Sequence, residues 1–363
     1  MKHQVIVNGH DMMRRFPLCK ENTMPYSFND LACAYAKKPL SGRLKAQNSD
    51  FRVDELMPVA LSGEGEHLWL KIEKNGSNTD WVAQQLAKYA GLKSMAVSYA
   101  GMKDRHAVTT QWFSLHLPGM DDPDFSQLES DEFRILEQQR HDRKLKRGAL
   151  SGNRFSLRIT ELQGDTSELE SRLEQIKQSG VPNYYGEQRF GREMGNLDKA
   201  EKMFCGELKK LKKPQRGLYL SAARSWIFNQ LLSARIEQGS WLTPMPGDVF
   251  MLNGKSACFA EALSDDISQR LQAGDIHITG CLWGEGESMV GGEVAELEDS
   301  IAQQFKVFAD GLEAARLKQE RRALRLMPEN MRWSLQDDTL NISFDLPAGA
   351  FATMLLRECV NAV

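Results

Sequence analysis

The sequence predicts an α+β fold: a largely antiparallel mixed sheet interrupted by an inserted α/β domain. Three observations carry this. Strand, hairpin and helix patterns follow one another in the first half without regular βαβ alternation. After Gly180 the composition shifts toward longer helical patterns, and two strand patterns near the end, 332–335 and 340–346, read as the first part resumed. At 363 residues the chain is also long for a single core. The expected organisation is an N-terminal extension at 1–24, a principal domain of 25–178 with 326–363, and an insertion at 179–325.

The elements follow in order. Between Leu44 and Leu56, Phe51 and Val53 alternate with Arg52 and Asp54, as in a half-buried strand. Gly63-Glu64-Gly65 turns the chain into a second strand, His67 to Glu73, with Leu68, Leu70 and Ile72 on one face. Asn78 and Thr79 cap a helix that runs to Tyr89 and stops at Gly91. A hairpin pattern comes next: Ala96 to Tyr99, a polar turn, then Gln111 to Leu117 with Phe113, Leu115 and Leu117 on one face. A strand carrying Phe155, Leu157 and Ile159 leads to a helix from Ser167 to Gln178. In the insertion, Trp226, Ile227, Leu231 and Ala234 mark a helix over 221–238. Asn253-Gly254 turns a hairpin within 249–259, and further helices are expected between about 263 and 323. A helix opens near Gly349.

Composition narrows the function. Forty-six Lys and Arg against 49 Asp and Glu give a net charge of −3, so any nucleic-acid contact rests on local basic patches. The densest is RHDRKLKR at 140–147, with Arg143, Lys144, Lys146 and Arg147 leading straight into a strand; 209–216 and 316–325 hold two more. The six cysteines include no close pair, which argues against a zinc finger or disulfide framework and fits a reducing cytosol. No apolar run approaches a membrane span, and no secretory leader is evident at the N-terminus. Asn253-Gly254-Lys255-Ser256 ends like a phosphate loop, but six residues, not four, separate Gly247 from Gly254. The seven histidines show no metal-site spacing, and His106 and His141 read as surface or phosphate-adjacent residues.

One stretch concentrates chemistry. In SYAGMKDRHAVTTQWFSLHL (98–117), Asp104 stands in the turn among Lys103, Arg105 and His106. A carboxylate beside cations stays ionised and is suited to nucleophilic work. Taken alone, a Lys-Asp pair at a turn is most simply a solvated turn. The surrounding sequence changes that reading. The stretch resembles the G-x-K-D-x-x-A-V-T signature of the tRNA pseudouridine synthase D (TruD) family, and five further segments fit in the same order: LKAQNSDFRVDE (44–55), GALSGNRFSL (148–157), VPNYYGEQRFG (181–191), SAARSWIFNQ (221–230) and LPAGAFATMLLRE (346–358).

The resemblance implies a pseudouridine-synthase catalytic domain interrupted by a TRUD-type domain. It implies isomerisation of uridine to pseudouridine in tRNA, at position thirteen of the D-arm, in the cytoplasm and without cofactor, metal, membrane or obligate protein partner. Asp104 matches the catalytic aspartate and Lys45 its cationic partner, with Lys103 the local alternative. Asn153 and Phe155 fall together on one strand face as a uracil holder, and Phe51 and Phe351 complete the pocket. Arg189, interleaved with Tyr184, Tyr185 and Phe190, joins the basic run as an RNA-backbone candidate. The alternative class is an RNA-binding or RNA-chaperone module without catalysis, for which the aspartate would have no use.

Overall fold

The structure, a computed structural model, describes residues 26–35 and 40–362. The expected N-terminal extension, 1–24, lies outside the described residues. The chain forms two compact units: residues 33–183 with those from 325 onward, and residues 184–324 with 26–32. In chain order the first unit contains β1 (Leu40–Leu44), β2 (Phe51–Leu56), β3 (His67–Asn75), α1 (Thr79–Tyr89), β4 (Val97–Tyr99), β5 (Val108–His116), β6 (Phe133–His141), β7 (Gly152–Gly164), α2 (Leu169–Ser179) and β8 (Val181–Pro182). The second holds α3 (Gly195–Phe204), α4 (Lys213–Glu237), β9 (Val249–Leu252), β10 (Cys258–Ala260), α5 (Asp265–Ala273), β11 (Ile276–Leu282), α6 (Gly292–Gln304), α7 (Lys306–Ala314) and β12 (Glu320–Ala323). The first then resumes with β13 (Arg325–Leu326), β14 (Glu329–Gln336), β15 (Thr339–Pro347), α8 (Ala352–Cys359) and β16 (Asn361–Ala362).

The first unit is built on a mixed sheet in the order β14-β15-β7-β2-β5-β3-β6, with β1, β16 and β4 attached at its sides. Its pairs are antiparallel except β2 with β5 and β1 with β16. Strand alternation decides which side chains are buried together. Phe51 and Val53 of β2, Phe155 and Leu157 of β7, and Ile342 and Phe344 of β15 share one core with Leu173 and Ile176 of α2 and Leu355 and Leu356 of α8. Further along the sheet, Val82 and Leu86 of α1 pack with Leu70, Ile72, Phe113 and Leu115. Trp112 alternates with Phe113 and so joins a separate cluster, with Trp69, Ala100 and Leu145. Being covered on both sides explains why β5 lacks the expected alternation of exposure: every residue from Val108 to Leu115 is buried.

In the second unit, a sheet ordered β10-β9-β11-β12 is accompanied by five α-helices among the described residues. The long helix α4 starts at Lys213, eight residues ahead of the apolar spacing that signalled it, with Pro214 in its first turn. The stretch where further helices were expected holds α5, α6 and α7 but also two strands, because IHITGCL is a short apolar run whose burial as a strand periodicity alone cannot reveal. β6 also carried little signal, since beyond Phe133 and Ile135, which face the core, and Leu136, FRILEQQRH is polar and forms a sheet-edge strand. Residues 26–32, expected with the principal domain, pack in the second unit: Tyr26 stacks on Phe308 at 5.7 Å, and Phe28 lies 6.3 Å from Phe190. Among the described residues no helix is long and apolar enough to cross a membrane.

Candidate active site

The Asp104 loop enters β5 and is fastened at several points. Thr79, at the start of α1, accepts the Lys103 N–H at 3.1 Å and donates to Gln111 Oε1 at 2.8 Å. The Gln111 amide in turn donates to the Gly101 carbonyl at 3.3 Å. The Lys103 ammonium points away from Asp104 and forms an ion pair with Glu55 at 2.7 Å, both side chains being buried. Glu55 also accepts the Trp112 N–H at 2.8 Å. Its burial pushes the carboxyl pKa up, and Lys103 partly offsets this. Lys103, the local alternative for the cation beside Asp104, is therefore committed to holding the loop.

Lys45 takes that place. It donates directly to Asp104 Oδ2, while the His106 N–H donates to Oδ1 at 3.0 Å. Partial burial tends to raise the Asp104 pKa, but the Lys45 hydrogen bond, the His106 N–H and the electrostatic influence of Lys45 and His106 outweigh it, so the carboxyl is held below its ordinary value. Lys45 sits in the left-handed region, at φ 61°. That conformation costs a non-glycine residue about 1–2 kcal/mol. The turn that imposes it is fixed by buried Asp50, which accepts the Gln47 N–H at 2.9 Å and pairs with Arg158.

Below the ion pair lies a series of rings. The Lys45 ammonium stands 4.2 Å from the centroid of Phe51. Phe51 meets Phe155 edge-on at 6.3 Å, and Phe155 stacks on Phe344 at 5.6 Å. Two residues before Phe155, and so on the same face of β7, Asn153 has a buried Oδ1 with no hydrogen-bond partner among the described residues. A buried acceptor left unpaired costs about 1–3 kcal/mol, so it marks a place where a donor is wanted. Phe351 is half-buried at the N-cap of α8; no ring contact among the described residues links it to this series.

The basic run divides by role. Arg140 is tied down, donating to Asp122 at 2.5 Å and to the carbonyls of Leu117 and Met120. His141, read from sequence as a surface or phosphate-adjacent residue, is buried edge-on against Trp69, because β6 extends that far. Arg143, Lys144, Lys146 and Arg147 are exposed, yet their loop is anchored. Leu145 is buried between them, Trp69 donates to the Arg143 carbonyl at 2.9 Å, and the Gly148 N–H donates to the carbonyl of Ala100 at 3.2 Å. In the second unit, Arg189 donates to Ser221 at 3.0 Å and lies over the Tyr185 ring. The 209–216 cluster is exposed, whereas in 316–325 Arg321 is buried against Glu298 and Lys318 pairs with Glu285.

Two functional-site neighbours escaped the sequence reading, Glu55 and Lys74. Lys74 is fully buried, and its ammonium donates to the carbonyls of Ser77 at 2.8 Å and Asp104 at 3.0 Å. Both carried a signal. Glu55 continues the apolar face of Phe51 and Val53, and Lys74 that of Leu70 and Ile72, so each is a charge standing in the register of the core.

An ionised carboxylate paired with lysine over a phenylalanine series is suited to carboxylate chemistry on a substrate held near aromatic rings. Comparison with known proteins gives the family. The family described as tRNA pseudouridine synthase D (TruD) matches residues 31–199 and 192–359. A tRNA pseudouridine synthase D of Hydrogenovibrio crunogenus is 46% identical over 335 residues, covering 92% of this chain and 97% of the relative. One of Aeromonas salmonicida is 50% identical over 323 residues, covering 88% and 91%. The fold is shared with the crystal structure of a TruD protein of Methanosarcina mazei at a TM-score of 0.70 and 21% identity, over 91% of this chain and 96% of that one. The chain belongs to the tRNA pseudouridine synthase D family.

The electrostatics give a direct expectation. In Lys45→Met the influences that lower the Asp104 pKa are weakened while the burial that raises it remains. The pKa should therefore rise, measured by carboxyl-carbon NMR titration. An unchanged titration would show that another group sets the charge of Asp104.

Proposed function

We propose that the protein isomerises uridine to pseudouridine in tRNA, at uridine 13 of the D-arm, with Asp104 as the reacting carboxylate. The observation that carries this reading is the Asp104–Lys45 pair over Phe51: a carboxylate kept ionised beside an aromatic wall. The reaction breaks the N1–C1′ bond, turns the detached uracil and joins C5 to C1′; N1 gains a proton and C5 loses one, so no oxidant or group donor is consumed. Asp104 supplies the one essential carboxylate, by attack at C1′ or by taking the 2′ proton. Lys45 maintains its charge until the ribose arrives.

The target base has to leave its stack to reach Asp104. Phe155 and Phe51 offer it an aromatic wall, Asn153 Oδ1 accepts a uracil N–H, and Phe351 contributes from the start of α8. Arg143, Lys144, Lys146 and Arg147 contact phosphates near Ala100, to which the adjoining Gly148 is hydrogen-bonded, and Arg189 is a separate phosphate-contact candidate in the second unit. The first unit's domain, expected at 25–178 with 326–363, is the catalytic one in this reading, and the insertion at 179–325 the family-specific one.

Two experiments test it. Asp104→Asn keeps size and hydrogen bonding but removes the charge, and should slow pseudouridine formation by about 10⁴-fold or more, while tRNA binding persists. Activity within tenfold of the parent would sink the assignment. Replacing Arg143, Lys144, Lys146 and Arg147 together by glutamine should weaken tRNA binding. It should also flatten the dependence of log affinity on log salt by about one unit per lost phosphate contact. An unchanged affinity and slope would exclude this loop as an RNA contact.

A further inference from the structure

Lys74 is the least expected charge in the molecule. β3 lies between β5 and β6, and Lys74 is in register with Thr109 of β5 and Phe133 of β6. Its side chain continues a face otherwise made of Leu68, Leu70 and Ile72, and none of it reaches solvent. Removing an ammonium from water is costly, and a methionine would fill the same space without that cost. Stability alone therefore does not account for a lysine here.

Its contacts do. The ammonium donates to the Ser77 carbonyl at 2.8 Å and the Asp104 carbonyl at 3.0 Å. Ser77 closes the segment between β3 and α1, and Asp104 is the apex of the loop into β5. One side chain thus joins the main chain of the candidate nucleophile to the rigid end of β3. We propose that Lys74 is a positioning residue, which fixes the Asp104 main chain so that the carboxylate is presented to the ribose in one orientation. This rests on the functional reading above.

The charged groups around it set how it behaves with pH. From the loop before β5 it faces Asp104 and Lys103; Lys103 is paired with Glu55 of β2, and Asp104 with Lys45 and the His106 N–H. From the 76–79 segment it meets the Ser77 carbonyl, and on the β6 side Phe133 and the Glu132 main chain lie alongside. Burial is the main influence and lowers the Lys74 pKa from 10.5 to about 8, with Lys103 adding to the fall and Asp104 opposing it. Above pH 8 the folded protein therefore holds Lys74 neutral, weakening its grip on both carbonyls and withdrawing a positive charge from behind Asp104. Stability moves the other way. Between pH 8 and 10.5 the unfolded chain binds the extra proton, so the cost of burying the ammonium is relieved as pH rises. An activity loss accompanied by a stability gain distinguishes this group from a general alkaline unfolding.

The test is single-turnover pseudouridine formation on unmodified tRNA across pH 6 to 10, with tRNA affinity and thermal unfolding followed alongside. The parent rate should fall as pH rises through about 8. Lys74→Met should lose about 10²-fold in rate, the order expected for a small misplacement of a reacting group, keep tRNA affinity within about twofold, and lack the alkaline fall. A folded Lys74→Met protein within about threefold of the parent and with the same alkaline limb would overturn the proposal. Should that variant not fold, γ-thialysine in place of Lys74 keeps the length of the side chain and lowers its basicity. Its alkaline limb should move to lower pH, and an unmoved limb would overturn the proposal equally. A parent protein that makes no pseudouridine would instead overturn the functional reading on which this one rests.

Discussion

The ion pair between Lys45 and Asp104 is the constraint around which the first unit is arranged. Each partner is on a loop, and each loop is made rigid by groups that have no other evident task. Lys45 is held at positive φ by a turn that buried Asp50 closes. Asp104 is held by main-chain ties to Thr79, Gln111 and Lys74 and by the buried Lys103–Glu55 pair in front of it. A surface ion pair on mobile loops contributes little, because ordering two long side chains offsets the attraction. Here the ordering is supplied by the fold, so the pair forms at little further entropic cost and the carboxylate keeps its charge.

The sheet explains how these loops come together. β2 and β5 run parallel and adjacent, so the turn before β2, which carries Lys45, and the loop before β5, which carries Asp104, meet at the same end. β7 pairs with β2 along Phe51 to Leu56, which sets Phe155 opposite Val53 and diagonal to Phe51, and Asn153 opposite Glu55. β15 adds Phe344 on the far side. Phe155 and Phe344, 189 residues apart in the chain, become neighbours on consecutive strands. The long insertion before β14 is compatible with this because the second unit has its own sheet and helices.

The fold was legible where periodicity was strong: β2, β3, α1, the Asn253-Gly254 hairpin and the two returning strands β14 and β15. Burial on both faces hid only where β5 begins, three residues ahead of the alternating part, whereas a short apolar strand such as β11 carries no period of its own. At the site, the motif residues were legible because they keep company in the chain: a Lys-Asp turn, an Asn-x-Phe strand and a basic run. The geometry refined them. Lys103, adjacent in sequence to Asp104, turns its charge inward to Glu55, and the cation that meets Asp104 comes from fifty-nine residues earlier. Sequence proximity could not decide that, since successive residues of an extended loop point to opposite sides. Glu55 and Lys74 were missed because the first strand was followed only through Phe51 and Val53 and the second was ended at Glu73, although both residues occupy core positions in the alternation.

The account stands or falls on whether this carboxylate site acts on uridine in RNA. The direct measurement is to incubate the purified protein with unmodified tRNA, without added metal or cofactor, and to map pseudouridine chemically at nucleotide resolution. The account predicts conversion of a single uridine, at position 13 of the D-arm. RNA that is bound but carries no pseudouridine after prolonged incubation would contradict it, and would leave Asp104, Lys45 and the ring series as parts of a binding surface alone.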